Sequence, residues 1–125
     1  MAPENSRDHL ALEFLRLLRI GNGEAARRLV TPDARHHNPY FVAGMKQLID
    51  AAVSAASSAP ERTADVLRVV ASGECVAVHS HVRHRSNEPG VSVVHIFRFE
   101  GELIAELWDV GQAVPADTLN SDGMF

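Results

Sequence analysis

The spacing of apolar residues changes from a helical period in the first half of the chain to a strand period in the second. Across His9–Ile20 the apolar side chains recur every three or four residues, which predicts an amphipathic helix. Asn5 or Ser6 is expected to cap this helix. Asp8 falls in its first turn, where a carboxylate suits the helix dipole.

Two further helical patterns follow, with turn residues between them. Glu24–Val30 and Met45–Ser57 are predicted to be helices, the second with an alanine-rich face. Thr31–Asp33 has a proline at its centre and is predicted to be a turn. Ala34–Val42 is predicted to be a short extended segment and a loop. Pro60 marks the end of the third helix.

From residue 63 onwards, valine-rich stretches and alternating apolar and polar residues are typical of β-strands. Clusters of turn residues separate four such stretches, so we predict an antiparallel meander. Residues 111–125 are expected to pack as a loop over an opening. The predicted strands are Thr63–Ala71, Cys75–Arg85, Val91–Phe99 and Glu102–Val110.

The order of these elements predicts the fold class. Helices come first and strands afterwards, which is typical of an α+β fold, here in a single domain over residues 1–125. Strands this long twist and curl. We therefore expect three N-terminal helices packed on a strongly curved antiparallel sheet, forming a cone-shaped α+β barrel with one blind pocket.

Composition excludes several classes of function. The chain has 125 residues, 46% of them hydrophobic, and a net charge of −4, which disfavours a nucleic-acid partner. Its apolar stretches are too short for a membrane span and its first residues are polar, so we expect a cytoplasmic protein. The single cysteine, Cys75, is expected to be a small buried residue. No phosphate-binding or dinucleotide motif is present, so no cofactor is expected.

His95 is the most informative polar residue. By alternation it shares a strand face with Val93, Phe97 and Phe99, which should be interior. A buried imidazole needs hydrogen-bond partners, and burial lowers its pKa. Its role is either structural, bonded within the core, or proton transfer near neutral pH.

Other candidate residues lie in two segments. Asp109 follows Trp108 at the end of the last strand, where it is either a general base at a pocket mouth or an exposed carboxylate. His37, Asn38 and Tyr40 cluster between the second and third helices and could orient a carbonyl or enolate oxygen. An apolar cavity for a ring-shaped ligand could be lined by Trp108, Phe97, Tyr40 and Phe41, although each could equally fill the core.

His79 and His81 share a strand face, a spacing compatible with a metal site. Arg83 lies on that face and disfavours a cation, and no third ligand is specified by spacing. A polar sheet face at a dimer contact explains the pair better, so no metal is predicted.

Three segments resemble a known family: RHHNPYFVAGMKQLI, VVHIFRFEGELIAELWDV and the closing GQAVPADTLNSDGMF. Together they resemble the SnoaL-like proteins, relatives of polyketide cyclases in the nuclear transport factor 2-like superfamily. The resemblance implies the α+β cone, commonly as a homodimer through the sheet. It also implies cofactor-independent aldol condensation, in which an acid/base group forms an enolate that attacks a second carbonyl.

The resemblance suggests residue roles. The acid after the tryptophan of the last strand is Asp109 here. Some family members place that acid a few residues farther on, where this chain has Gln112. Ketosteroid isomerases of the same superfamily have their base where this chain has Asn38, and an amide cannot act as a base. They have an oxyanion-binding acid where this chain has His95, while close SnoaL-like relatives often have Asp there.

Two main functional hypotheses follow, and a metal-assisted histidine site of unknown reaction is a third. The first is an enzyme acting by proton abstraction on a small hydrophobic carbonyl compound, in aldol cyclisation or isomerisation. The second is a noncatalytic small-molecule-binding or accessory domain of the same fold. For the enzyme we predict catalytic residues Asp109, His95 and His37, and substrate-binding residues Asn38, Tyr40, Phe97, Trp108 and His81.

Overall fold

The computed structural model describes residues 6–125. It contains three helices and a five-stranded curved sheet with strand order β1-β5-β4-β3-β2. The predicted α+β fold, with helices packed on a curved sheet, is confirmed. The elements are α1 (Arg7–Arg19), α2 (Gly23–Arg27), β1 (Val30–His36), α3 (Met45–Ser58), β2 (Thr63–Ser72), β3 (Cys75–Arg83), β4 (Val91–Glu100) and β5 (Leu103–Ala113).

Helix α1 begins where the capping signal predicted. The Ser6 side chain accepts a hydrogen bond from the backbone N–H of His9 at 3.3 Å, and Asp8 lies in the first turn. The alternative cap, Asn5, lies outside the described residues. The apolar stripe of α1 packs on the sheet and buries Phe14 and Leu17 almost completely.

The predicted turn at Thr31–Asp33 is wrong, because these residues belong to strand β1. This strand pairs in parallel with β5, so the sheet is mixed and has one strand more than the meander predicted. β1 is an edge strand, and Pro32 is tolerated there because one side of an edge strand needs no ladder hydrogen bonds. The second helix is correspondingly shorter than predicted and ends at Arg27.

The other strands form the predicted antiparallel meander. β3 ends two residues earlier than predicted and β5 continues three residues farther, to Ala113. Irregularities interrupt the β2–β3 register between Val66 and Arg68, and the β4–β5 register between Arg98 and Phe99. Such bulges increase local twist, which bends the sheet around the helices.

The helices cover the concave face of the sheet, where the core lies. Phe14 of α1 meets Phe97 of β4 edge-on, with ring centroids 6.0 Å apart, and Phe97 and Phe99 are inaccessible to solvent. Cys75, predicted to be buried, is exposed instead. It opens β3 with the same alternation as His79, on the convex face away from the helices.

The C-terminal residues do not close the concave side. Phe125 stacks on His79 and His81 of β3, with centroid separations of 5.9 and 4.1 Å, and so packs on the convex face. The expectation of a loop over the pocket opening is therefore wrong. No helix within residues 6–125 is long and apolar enough to cross a membrane.

Candidate active site

A cavity of about 330 Å³ lies between the helices and the concave face of the sheet. This volume is at the lower end of the range for small-molecule sites. His95 and Ser80 enter its wall from the sheet, and three arginines contribute to its lining. Its apolar surface comes from Leu12, Leu15, Leu18, Ala52, Ala64, Val66 and Val82.

His95 reaches the cavity because of its position in β4. It pairs with Val78 on one side and Asp109 on the other, and Val78 belongs to the buried face of β3. Its Nδ1 is sealed from solvent and has no hydrogen-bond partner in the described part of the chain. Burial lowers the pKa of His95 to about 4, against the attraction of Asp109 and aided by the charge of Arg62. The imidazole is therefore neutral at physiological pH.

Asp109 lies beside His95 in the sheet and is held by the loop after β1. Its Oδ2 accepts a hydrogen bond from Asn38 Nδ2 at 2.8 Å. Asn38 is oriented in turn, because its Oδ1 accepts from the Tyr40 N–H at 2.9 Å and its own N–H donates to His36 Nδ1 at 3.1 Å. Oδ1 of Asp109 accepts no hydrogen bond from residues 6–125, which leaves one carboxylate oxygen available to a ligand.

A second, more open cavity of about 470 Å³ adjoins this carboxylate. Asn38, Tyr40 and Asp109 line it together with Val91 and Val93 of β4. Tyr40 lies at its edge and is 89% exposed. His95 and Asp109 are direct neighbours across strands, so the two cavities flank one imidazole–carboxylate pair.

His37 and Trp108 are not part of this arrangement. Trp108 pairs with Ile96 and points to the convex face, where the His37 ring stacks on it at a centroid distance of 5.1 Å. His37 Nε2 bonds Glu106 Oε2 at 2.5 Å, and Arg98 Nε donates to Glu106 Oε1 at 3.1 Å. These contacts, the His37 bond foremost, lower the pKa of Glu106. Glu106 organises this cluster, and no local sequence pattern indicated that role.

His81 and its neighbour His79 also lie on the convex face. Arg68 donates to His79 Nδ1, and His79 Nε2 donates to Ser92 Oγ at 2.8 Å. His81 Nε2 donates to the Pro89 carbonyl at 2.7 Å. Their alternation thus directs both rings away from the cavity that contains His95. No cluster of three or more His, Cys, Asp or Glu side chains suited to a metal ion occurs within residues 6–125.

Phe97 supports the site without lining it. It is fully buried on the same strand face as His95, and the centroids of the two rings lie 6.2 Å apart. Of the eight predicted site residues, the structure brings together His95, Asp109, Asn38, Tyr40 and Phe97.

Four polar residues of the first cavity, Ser80, Arg16, Arg19 and Arg62, were missed by sequence reasoning. Ser80 shares the alternation of Val78 and Val82, so its inward position could have been predicted. Arg19 and Arg62 lie at the end of α1 and before β2, and they meet only because the chain folds back. No local sequence signal connects these two arginines.

Comparison with known proteins gives one family and several solved structures. The model of the SnoaL-like domain family matches residues 11–107. No curated protein matches the sequence significantly. A nuclear transport factor 2-like protein of unknown function from Cytophaga hutchinsonii is 15% identical, with a TM-score of 0.71 over 90% of this chain and 95% of that chain.

Two further structures have names that refer to reactions. A presumed polyketide cyclase from Sinorhizobium meliloti is 19% identical, with a TM-score of 0.68 over 81% of this chain and 93% of its own. A presumed ketosteroid isomerase from Kribbella flavida is 18% identical, with a TM-score of 0.71 over 94% and 84%. At these identities the likeness establishes the fold alone.

Proposed function

This chain belongs to the SnoaL-like domain family, and we propose that it is a cofactor-independent enzyme that removes a proton beside a carbonyl group of a small apolar substrate. The observation that carries the proposal is the His95–Asp109 pair. A neutral, unpartnered imidazole at the wall of an apolar cavity lies next to a carboxylate with a free oxygen.

Asp109 is the base in this proposal. Its Oδ1 is unoccupied, while Asn38 fixes the orientation of the carboxylate through Oδ2. The substrate C–H bond breaks, the proton passes to Asp109, and the electron pair forms an enolate. Positioning of a general base within reach of such a proton is worth a rate factor of about 10² to 10⁴.

His95 stabilises the enolate oxygen. A pKa of about 4 makes His95 a weak base but leaves it a neutral hydrogen-bond donor. Preorganised donors in a water-poor site are effective, because they need no reorganisation when charge develops. The enolate then either takes a proton back at another carbon or attacks a second carbonyl, where the new C–C bond leaves an alkoxide that Asp109 protonates.

These two outcomes correspond to isomerisation and aldol cyclisation, the reactions implied by the names of two structural neighbours. Both share the enolate step and need no cofactor. The proposal also includes a small hydrophobic carbonyl ligand, a cytoplasmic location and the homodimer that the family resemblance implies.

The test is exchange of α-hydrogens for deuterium in 2-tetralone and 1-indanone, followed by proton NMR in D₂O. The protein should accelerate exchange above buffer, and Asp109→Asn should remove most of the acceleration because the amide cannot accept the proton. His95→Phe should reduce it by removing the donor. Asp117→Asn and His84→Gln, both on exposed residues, should exchange like the unchanged protein.

The alternative is a noncatalytic binding domain, and one observation favours it. His95 lines the first cavity while Asp109 lines the second, so a ligand must reach across the pair to use both. Ligand binding without exchange of either ketone, unaffected by Asp109→Asn, would support the binding domain and refute the enzyme.

A further inference from the structure

Among the described residues, the lining of the first cavity contains positive charge without a carboxylate. Arg16 and Arg19 lie in the last turn of α1, and Arg62 follows the turn after α3. The remaining lining residues are apolar, apart from Ser80 and His95. An apolar cavity with arginines in its lining is the arrangement expected for a ligand that has an apolar body and an anionic group.

One of the three guanidinium groups is already neutralised. Arg16 donates to both oxygens of Glu13, at 2.9 and 2.6 Å. Arg19 and Arg62 have no carboxylate partner among residues 6–125. The charges of Arg19 and Arg62 repel each other, and a bound anion would relieve that repulsion.

Arg62 gives the most direct sign that a partner for these guanidinium groups is missing within residues 6–125. Its Nε is sealed from solvent and has no hydrogen-bond partner in the described residues. Burial, together with the nearby charge of Arg19, lowers the pKa of Arg62. A buried N–H donor without a partner is rare in folded proteins, so the described residues leave the guanidinium of Arg62 incompletely paired.

We propose that Arg19 and Arg62 bind the carboxylate of an apolar carboxylic acid, whose body lies in the cavity against the leucines of α1. Guanidinium groups match the planar, two-oxygen geometry of a carboxylate, and such hydrogen bonds are the strong ones. The inference rests on the ligand-binding part of the proposed function and narrows the substrate class to keto acids of one or two rings. The two guanidinium groups then hold the carboxylate, and the apolar body lies against Leu12, Leu15 and Leu18.

The test compares the affinities of 2-naphthoate and 2-naphthamide, which have nearly the same shape but differ in charge. By isothermal titration calorimetry we expect the naphthoate to bind about tenfold more tightly or better. Arg62→Gln and Arg19→Gln should each remove most of this preference. Arg28→Gln removes the same charge from an exposed pair with Glu24 and should keep the preference.

Three results would overturn the inference: equal affinity for the two naphthalenes, an unchanged preference in both cavity variants, or displacement of naphthoate by a tenfold excess of inorganic phosphate. The last would indicate a general anion site rather than a site for apolar acids. Stability is a second readout. Because Arg62→Gln relieves repulsion and an unpaired donor, its Tm without ligand should not fall, whereas a structural arginine would lower it.

The affinity test for the carboxylate site and the deuterium-exchange test for the enzyme can fail independently of each other. Asp109→Asn should keep the naphthoate preference while losing deuterium exchange. A charge preference that depends on Arg19 and Arg62, in a protein that exchanges neither ketone, would leave this inference intact and refute only the catalytic proposal.

Discussion

Acidification is predicted to destabilise the folded protein through the buried imidazole of His95. Its pKa is about 4 in the folded protein and 6.5 when solvated. The unfolded chain therefore binds more protons at this residue between these pH values, and the free energy of unfolding falls as pH falls. The contribution is fully present above pH 6.5, is lost progressively on acidification, and is gone below about pH 4.

The magnitude follows from the size of the shift. A difference of about 2.5 pKa units corresponds to about 3 kcal/mol over the whole window. Between pH 7 and pH 5 the loss is about 2 kcal/mol, because the unfolded imidazole is then largely protonated and the buried one is not. For a domain of ordinary stability this is a large fraction of the total.

Urea unfolding of the unchanged protein and of His95→Gln at pH 7, 6 and 5 isolates this contribution. Other histidines and carboxylates titrate in both proteins, so the difference between their unfolding free energies reports His95. Between pH 7 and pH 5, we expect the unchanged protein to lose about 2 kcal/mol more of its free energy of unfolding than His95→Gln loses. His84→Gln, at an exposed histidine, should track the unchanged protein. Parallel pH curves for the unchanged protein and His95→Gln would refute a buried, neutral imidazole.

Other predictions test the surroundings of the pair. Asn38→Ala should free Asp109 to rotate and lower kcat for ketone exchange more than it raises KM; an unchanged kcat would contradict the positioning role. Phe97→Ala should lower the urea-derived stability by about 3 to 5 kcal/mol, and a loss below 1 kcal/mol would show that the core is not packed around this ring. Glu106→Gln should lower Tm, since it weakens the contacts with His37 and Arg98, while leaving naphthoate affinity unchanged; a lost affinity would place the convex cluster in the ligand site.

The helices and most of the strands could be predicted from local pattern. Apolar spacing places α1 and α3 within two residues of their observed ends, and alternation directs His95 to the same face as Phe97 and Phe99. The first half of strand β1 was missed because Pro32 favours a turn, and only its end, from Ala34 to His36, fell in the segment predicted to be extended. Its pairing with β5 involves residues roughly seventy positions apart, which no local pattern encodes.

The candidate site could be predicted only in part. Alternation already separates Trp108 from Asp109, so their joint assignment to one pocket disregarded the geometry of a strand. His37 was expected beside the substrate, but β1 extends to His36 and directs the next residue towards Glu106 on the convex face.

By itself the amino-acid sequence determined the helices, the four antiparallel strands and the faces that their side chains occupy, because these depend on neighbours within a few residues. Tertiary structure alone decided that Asn38 holds Asp109, that Nδ1 of His95 lacks a partner among residues 6–125, and that Arg19 and Arg62 line one cavity. Such encounters depend on sheet curvature, bulges and the path of the chain between distant segments. The chemistry of this protein therefore depends on contacts between residues that are far apart in the chain.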